Sequence, residues 1–253
     1  MSLHRDLMHG LNPVCFSQEA LGFMPDTWQA KVMQSENRRI LLNCSRQAGK
    51  STTTAVIALH RALYYPASLI LLISPSLRQS SELFKKVTVL HKNFEGGPEL
   101  TEDNRLSLQM NNGSRIVSLP SSEANIRGFS GASLIIEDEA SRVPDDLYRA
   151  IRPMLAVSNG RLILMSTPFG KRGHFHEEWT NGGDQWQRVE IKATDCSRIK
   201  PEFLESERAS LGEWWFRQEY LCEFVETTDQ VFSYEYIMQA ITTDVKPLFE
   251  VTL

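Results

Sequence analysis

The segment SRQAGKST places a glycine, a lysine and a serine in direct succession. A phosphate-binding P-loop has the pattern G-x-x-x-x-G-K-[ST], in which backbone N–H groups and the lysine hold phosphates and the hydroxyl binds Mg²⁺. Gly49, Lys50 and Ser51 fit the end of this pattern, whereas Cys44 occupies the position of the first glycine. The segment therefore predicts a nucleotide site of unusual composition, with Arg46 inside the loop.

The sequence around this triplet strengthens the prediction, because G-K-[ST] alone occurs by chance in roughly one chain in ten of this length. Residues 38–44 are mostly apolar and predict a buried strand, and residues 51–65 predict a helix. A strand-to-helix turn is where free backbone N–H groups and the positive end of a helix bind phosphates. The alternative is a strand-to-helix turn in which glycine only allows the change of direction, but such a turn would not explain why a lysine and a serine come next.

Acidic residues follow another apolar run in LIIEDEA, residues 134–140. In phosphoryl transfer an aspartate at the end of a buried strand binds Mg²⁺, and the next glutamate polarises the attacking water. Asp138 and Glu139 have this order, and the pair Glu137 and Asp138 is a less favoured assignment. The alternative is an acidic strand end that faces solvent, which the upstream P-loop disfavours.

Other polar groups near these motifs extend the predicted site. Ser166 and Thr167 end the apolar run 160–168, and hydroxyls at the carboxyl edge of a parallel sheet can sense the γ-phosphate. Arg46 and Arg127 are candidates for stabilising the charge of phosphoryl transfer, within one chain or from a neighbouring subunit. A plain surface arginine in a glycine-rich turn is an equally good interpretation of Arg127.

The segment TWQ, shortly before the first predicted strand, indicates which base is bound. The amide of Gln29 can read the edge of adenine with two hydrogen bonds while Trp28 packs nearby. No base-reading aspartate motif of GTPases is visible, so the predicted substrate is ATP together with Mg²⁺.

The elements that must position these residues are short apolar runs alternating with amphipathic stretches, a pattern typical of an α/β sheet with crossover helices. Asn112-Gly113 is a strong hairpin signal at the centre of residues 105–119. Further strands are predicted at 68–74, 132–140, 160–168 and 186–193, and further helices at 81–94 and 145–157.

The C-terminal part of the chain differs in composition. Residues 202–226 are rich in large aromatics, and we expect these to pack the segment onto the body as a small subdomain. Stacking of Trp214, Trp215 and Phe216 on nucleic acid is the alternative. A linker with one short amphipathic helix at 232–241 is predicted to follow.

Length and composition describe an ordinary globular protein: 253 residues, 42% hydrophobic and 23% charged, with room for one large domain and a small appendage. No apolar run is long enough to span a membrane, and the first ten residues lack the apolar core of a signal peptide. The net charge of −4 argues against a protein that coats DNA, but not against one that touches DNA locally. The candidate basic contacts, each also explained as a solvated surface charge, are Lys85, Lys86, Lys171 and Arg172.

The four cysteines lie far apart in the sequence and form no C-x-x-C pair. This spacing suits a reducing compartment and argues against both a disulfide framework and a zinc site. His174 and His176 are a weak alternative as metal ligands beside their interpretation as surface histidines.

Taken together, these motifs resemble those of the ATPase domain of the large terminase subunit of tailed double-stranded DNA bacteriophages. SRQAGKST resembles that family's Walker A variant, which carries an arginine and lacks the first glycine, and LIIEDEA resembles its Walker B motif with the catalytic glutamate. STP resembles its coupling motif, TWQ its adenine motif, and IRG the arginine that precedes Walker B. The resemblance extends over about residues 20–240.

The resemblance implies a RecA-like P-loop NTPase fold of the ASCE type, a mainly parallel sheet flanked by helices with a small C-terminal lid or linker subdomain. The implied divisions are an N-terminal arm at 1–22, an ATPase core at 23–195, a lid at 196–228 and a linker at 229–253. Large terminases usually continue into an RNase H-like nuclease domain, and the sequence stops near the point where that domain begins. We therefore expect no nuclease activity from the chain itself.

The resemblance also implies a role for each site residue. Glu139 is the expected catalytic base, Arg127 an arginine finger acting across subunits, and Arg46 a phosphate or relay contact. The predicted catalytic residues are Glu139, Arg127, Lys50 and Arg46, and the predicted metal ligands are Ser51 and Asp138. The predicted coupling residues are Ser166 and Thr167. The predicted nucleotide-binding residues are Trp28, Gln29, Ser45, Arg46, Gln47, Ala48, Gly49, Lys50, Ser51 and Thr52.

The implied partners are double-stranded DNA, the portal protein of the procapsid, the small terminase subunit and further copies of the chain in a pentameric ring, in the host cytoplasm and without a membrane. One alternative is another P-loop helicase or translocase-like ATPase, which would need a second RecA-like domain. Another is a nucleotide-binding module without turnover, against which Glu139 argues. A small-molecule kinase is disfavoured because no lid of paired arginines is recognisable.

Overall fold

The computed structural model describes residues 3–121, 126, 128–226 and 239–240, and eight strands in this part of the chain form one sheet. The strands are β1 Arg39–Cys44, β2 Leu69–Ser74, β3 Leu100–Asp103, β4 Ser107–Met110, β5 Arg115–Pro120, β6 Leu134–Asp138, β7 Arg161–Ser166 and β8 Gln187–Ile191. Their order across the sheet is β3-β4-β5-β2-β6-β7-β1-β8.

The helices of the same residues surround this sheet. They are α1 Leu3–Leu11, α2 Pro13–Cys15, α3 Thr27–Gln34, α4 Lys50–Tyr64, α5 Leu77–Asn93, α6 Asp145–Ile151, α7 Gly173–Asn181, α8 Pro201–Leu211 and α9 Glu213–Glu219. A π-helical turn occupies Phe16–Ala20, and 3₁₀ turns occupy Ala140–Arg142, Arg152–Leu155 and Ala193–Asp195. Within the described residues, none of these helices has both the length and the apolar composition needed to cross a bilayer.

The sheet is mainly parallel, as the alternation of apolar and amphipathic segments predicts. The strands β5-β2-β6-β7-β1-β8 all pair in parallel, and only β3 and β4 are antiparallel to their neighbours. The antiparallel end contains the predicted hairpin, in which Gly113 has a φ of 83°. The side-chain amide of Asn112 donates to the carbonyl oxygen of Ala62 at 2.8 Å, so the turn is tied to the end of α4.

The pleat of the parallel strands divides the interior into two hydrophobic cores. Ile40, Leu42 and Ile136 point to one face, where α3, α4 and α5 pack. Leu41 and Ile135 point to the other face, where α6 and α7 pack. Because helices cover both faces, these strands are apolar at nearly every position, which explains why they are recognisable as continuous runs.

Some elements differ from the sequence-based expectation. Helix α5 begins at Leu77 and not at residue 81, because the hydroxyl of Ser76 accepts a hydrogen bond from the N–H of Gln79 and caps the helix. The segment 202–226 contains two helices, which separate at Gly212 with a φ of 79°. The helices that precede β1, strand β3 and helix α7 are not predicted by the sequence. The helix predicted at 232–241 falls outside the described residues, apart from 239–240.

Phe16 fixes the N-terminal helices to the rest of the fold. Its side chain is fully buried, and its ring meets those of His60, Tyr64 and Phe94 edge-to-face at centroid distances of 5.5, 5.6 and 5.4 Å. Such aromatic contacts add stabilisation beyond the area that they bury. The N-terminal segment is therefore part of the hydrophobic core on the α4 face.

We expect Phe16→Ala to lower the free energy of unfolding by about 3–5 kcal/mol, because the truncation leaves a cavity among three aromatic rings. Urea unfolding followed by circular dichroism measures this change. Leu7→Ala is the matched control on α1, since that side chain is 60% exposed. Equal losses for the two variants would contradict the role of Phe16.

Candidate active site

The predicted site residues meet at one edge of the sheet because their strands are neighbours. The P-loop follows β1, the acidic pair ends β6 and the hydroxyls end β7, and these strands lie in the order β6-β7-β1. The register places Asn43 of β1 beside Ser166 of β7, and Asp138 of β6 beside Met165. The carboxyl ends of parallel strands form the edge at which such sheets bind ligands.

The P-loop conformation explains both the retained glycine and the missing one. Gly49 has a φ of 101°, and a Cβ at this position would lie 2.6 Å from the side-chain nitrogen of Gln29. Only glycine avoids both the left-handed strain and this clash. Cys44, in contrast, ends β1 with its side chain fully buried in the core, and its φ is not positive. The loop turns instead at Gln47, which has a φ of 60°.

Lys50 begins α4 and faces the acidic end of β6. Its Nζ atom lies 3.9 Å from Oε1 of Glu139. The backbone N–H of Glu139 donates to Oδ1 of Asp138 at 3.0 Å. Burial, followed by the neighbouring charge of Glu139, raises the pKa of Asp138 to about 6. A buried carboxylate with a raised pKa is a group whose ionised form a bound cation would stabilise.

The pleat of β6 places Glu137 and Asp138 on opposite faces of the sheet. Asp138 lies on the α4 face with the P-loop, whereas Glu137 points to the opposite face and is fully buried. There its Oε1 atom lies 2.7 Å from Nε2 of His174, and Nδ1 of the same ring lies 3.1 Å from Oδ1 of Asp145. Glu137 therefore belongs to a separate network, which disfavours its assignment to the nucleotide site. His174 is a buried partner of two carboxylates and not a surface histidine.

Arg46 is held by an acid that the sequence did not point to. Its Nε atom donates to Oε2 of Glu219 at 2.6 Å, and this hydrogen bond is the main reason that the pKa of Arg46 is raised. The second oxygen of Glu219 lies 3.6 Å from Nη2 of Arg142, whose Nε lies 3.9 Å from Oε2 of Glu139. A chain of alternating charges thus connects the P-loop, helix α9 and the acidic edge.

The predicted adenine-reading residues have other contacts in this structure. Oε1 of Gln29 accepts from the N–H of Asp26 at 2.8 Å, and its Nε2 donates to the carbonyl oxygen of Gly49 at 3.4 Å. The amide therefore caps α3 and supports the P-loop. Trp28 packs partly buried against the core. Arg198 connects the same elements, donating to both carboxylate oxygens of Asp26 and to the carbonyl oxygen of Ala48.

A cavity of about 600 Å³ opens beside the P-loop. It is lined by five of the predicted P-loop residues together with Gln29, and also by residues that the sequence does not point to. The lining residues are Phe23, Met24, Gln29, Gln47, Gly49, Lys50, Ser51, Thr52, Lys86 and Arg198. Ser45, Arg46, Ala48 and Trp28 do not line it. Lys86, one of the candidate basic contacts to DNA, lines this cavity.

The hydroxyl of Ser166 and the carbonyl oxygen of Thr167, at the end of β7, hold the loop that follows Glu139. Oγ of Ser141 lies 2.6 Å from Oγ of Ser166 and donates to the carbonyl oxygen of Thr167 at 2.7 Å. The backbone N–H of Ser141 also donates to Ser166. The contact between the two strand ends is therefore direct, as a coupling element requires.

Several predicted residues have different surroundings or none that can be described. Arg127 lies outside the described residues. Among the other basic residues considered for DNA, Lys171 pairs with Glu226 at 3.8 Å, Arg172 lies over the ring of Phe169, and Lys85 is exposed. Trp214 donates to the carbonyl oxygen of Glu226, and Phe216 is buried, so these two aromatics serve packing.

A family model and a known relative match most of this chain in sequence. The sequence profile described as "Terminase large subunit, T4likevirus-type, N-terminal" matches residues 41–239. The terminase large subunit of Thermus virus P23-45 is 29% identical over 251 residues, which cover 85% of this chain and 52% of that protein. The chain therefore spans about half the length of such relatives.

Solved structures show the same fold. The large terminase ATPase domain of Thermus phage P74-26 has a TM-score of 0.73 and 24% identity, with 85% of this chain and 100% of that chain covered. The large terminase of bacteriophage D6E, solved in complex with ADP, has a TM-score of 0.66 and 15% identity, covering 79% and 53% of the two chains. The sheet described above is thus the RecA-like P-loop fold that the resemblance implies, whereas the lid subdomain stays a prediction.

The network around His174 predicts a specific pH dependence of stability. Burial alone would lower the pKa of His174, but the hydrogen bonds to Glu137 and Asp145 outweigh burial and raise it. The resulting stabilisation is complete below the pKa of an unfolded histidine, about 6.5, and is lost as pH rises through the higher folded pKa. We expect the free energy of unfolding to fall as pH rises through this range, by about 1.4 kcal/mol for each unit by which the folded pKa exceeds the unfolded one.

Urea unfolding between pH 6 and pH 9 measures this dependence, and His174→Gln should flatten it. His176→Gln on the same helix is the control, because burial lowers the pKa of that ring. A wild-type slope that persists in His174→Gln would show that other groups cause it.

Proposed function

Because the chain belongs to the family of terminase large subunits, T4-like type, we propose that it is the ATPase motor domain that drives double-stranded viral DNA into a procapsid. The single observation that carries the enzymatic part is the approach of Lys50 to Glu139, at 3.9 Å, beside the buried Asp138. A phosphate-binding lysine, a carboxylate suited to a metal and a carboxylate suited to a base are the parts that phosphoryl transfer to water needs.

In this proposal each residue has one role. Lys50 and the backbone N–H groups after Gly49 bind the phosphates of ATP, because the start of α4 presents free donors and a positive dipole. Ser51 and Asp138 would hold Mg²⁺, which supplies charge neutralisation at the phosphates. The raised pKa of Asp138 supports this assignment, since a neighbouring cation favours its ionised form. Glu139 accepts a proton from the attacking water.

Two arginines supply positive charge for the transition state. Arg46 is near enough to the acidic edge to share Glu219 with Arg142, so it acts within the chain as a phosphate or relay contact. Arg127 precedes β6 in the sequence, and we propose that it acts on the nucleotide of a neighbouring subunit. An arginine supplied from another subunit raises the rate only when the subunits are assembled.

The remaining parts of the proposal concern the assembly. The substrate is ATP, and the partners are double-stranded DNA, the portal protein, the small terminase subunit and further copies of the chain in a ring, in the cytoplasm of a bacterial host. Family membership and the nucleotide-bound relative support these assignments. The hydroxyl contact between Ser141 and Ser166 is the proposed coupling element between hydrolysis and motion.

We expect Glu139→Gln to reduce ATP hydrolysis by about a hundredfold or more while ATP binding persists, because the variant removes a general base and leaves the P-loop intact. Lys50→Ala should weaken ATP binding as well. Phosphate release and equilibrium binding of a fluorescent ATP analogue measure the two effects, with Glu102→Gln on the exposed β3 as the control. Equal, slow turnover in the wild type and in Glu139→Gln would leave a nucleotide-binding module without turnover as the better description.

The finger role of Arg127 predicts cooperation between subunits. ATP hydrolysis per chain should rise with protein concentration, and Arg127→Ala should remove this rise and leave ATP binding intact. Arg115→Ala, at an exposed position of β5, is the matched control. Hydrolysis that is independent of concentration and unaffected in Arg127→Ala would exclude the role.

A further inference from the structure

Three potential metal ligands converge in the N-terminal helices, far from the P-loop edge in sequence. They are His9 in α1, Cys15 in α2 and Glu19 in the π-helical turn. One ligand atom from each residue lies within 4.8 Å of the other two. Nε2 of His9 lies 3.2 Å from Oε2 of Glu19, a separation typical of two ligands that share one small cation in tetrahedral geometry.

The backbone holds these side chains in place. The side chain of Asn12 accepts from the N–H groups of Val14 and Cys15, which fixes the start of α2. The next residues form a π-helical turn, a conformation that is rare and is frequently found at functional sites. Phe16, inside that turn, is locked in the core. The cluster is thus built on anchored backbone and not on a loose terminus.

The ring of His9 presents its Nε2 atom to Glu19. The ring is buried and packs edge-to-face on Phe16, and the carbonyl oxygen of His9 accepts a hydrogen bond from Nε2 of His60. Nδ1 of His9 has no hydrogen-bond partner among the described residues. Its other nitrogen, which faces Glu19, is therefore the ring's polar contact.

The charges of the other two groups suit a cation. Oε2 of Glu19 faces both Nε2 of His9 and Nε of Arg5, so an acidic oxygen lies between two nitrogen groups of the cluster. A thiol that coordinates a divalent cation is deprotonated, so Cys15 would supply a second negative ligand.

We propose that His9, Cys15 and Glu19 form a binding site for a zinc-class divalent cation, separate from the nucleotide site. Imidazole, thiolate and carboxylate are the zinc ligands of proteins, and three of them leave one position for water. A cavity of about 620 Å³ lined by His9, Glu19 and Glu95 provides room for that water. Metal bound here would join α1 to the π-helical turn and so brace the N-terminal helices on α4.

Arg5 would compete with the metal ion for the carboxylate of Glu19. Its Nε atom lies 3.3 Å from Oε2 of Glu19, the same oxygen that faces His9. A cation that binds this oxygen must displace the guanidinium group. Removal of the Arg5 charge should therefore strengthen metal binding, whereas it would weaken a purely structural contact.

The test uses the whole chain and Co²⁺ as a spectroscopic substitute for Zn²⁺. We expect one Co²⁺ per chain, with a thiolate-to-cobalt charge-transfer band that Zn²⁺ abolishes by displacement. Cys15→Ser should remove the band and weaken binding by at least about tenfold, a loss typical of damage to a metal site. Cys196→Ser is the matched control, because that cysteine is buried in another part of the fold.

Arg5→Gln should tighten Co²⁺ binding by several-fold, and Zn²⁺ should raise the melting temperature of the wild type but not of Cys15→Ser, since a ligand stabilises the state that it binds. The proposal is overturned if Co²⁺ binds without a charge-transfer band, if Cys15→Ser retains the band, or if Arg5→Gln weakens binding. Circular dichroism of each variant confirms that it is folded, so a lost band reports the site.

Discussion

The pleat of β6 is the constraint on which the arrangement of charges depends. Adjacent residues of a strand point to opposite faces, so Asp138 and Glu137 are separated by the sheet although they are neighbours in the chain. Asp138 meets the P-loop, and Glu137 meets His174. One backbone segment therefore supplies a carboxylate to each of two charge networks, one around Lys50 and one around His174, and the sheet lies between them. A shift of one residue in the register of β6 would exchange the two carboxylates and turn Asp138 away from the P-loop.

Helix α9 completes the site from outside the central sheet. The fold places Glu219 against Arg46 although 173 residues separate them in the chain. This glutamate is buried, and two arginines approach its two oxygens. A buried carboxylate needs such partners, because the loss of hydration is offset only by close opposite charges. Gly212 sets the direction of α9 relative to α8. It therefore also helps to set the position of Glu219, the carboxylate that pairs with Arg46 of the P-loop.

Local sequence patterns predicted much of the fold and part of the site. Gly49, Lys50 and the strand before them follow from spacing and apolar content, because the P-loop is a contiguous motif. The sequence leaves two possible acidic pairs at the end of β6, and the structure favours Asp138 with Glu139 because Asp138 shares a face with the P-loop while Glu137 contacts His174. Arg198, Glu219 and Arg142 could not be predicted, since their contacts join segments that no periodicity relates. The cluster of His9, Cys15 and Glu19 could not be predicted, because the spacing of these residues matches no metal motif. The role of Arg127 stays a prediction.

The outer strand β3 has a consequence for how copies of the chain can meet. Three of its four residues, Thr101, Glu102 and Asp103, are exposed, and two of them are negatively charged. An edge of this kind resists the addition of a strand from another molecule, because an approaching copy would bring like charges together. A continuous sheet formed between the β3 strands of two copies is therefore disfavoured, and contact of this edge through side chains and loops is favoured. Contacts of that kind tolerate small tilts between neighbours, since no row of backbone hydrogen bonds has to break.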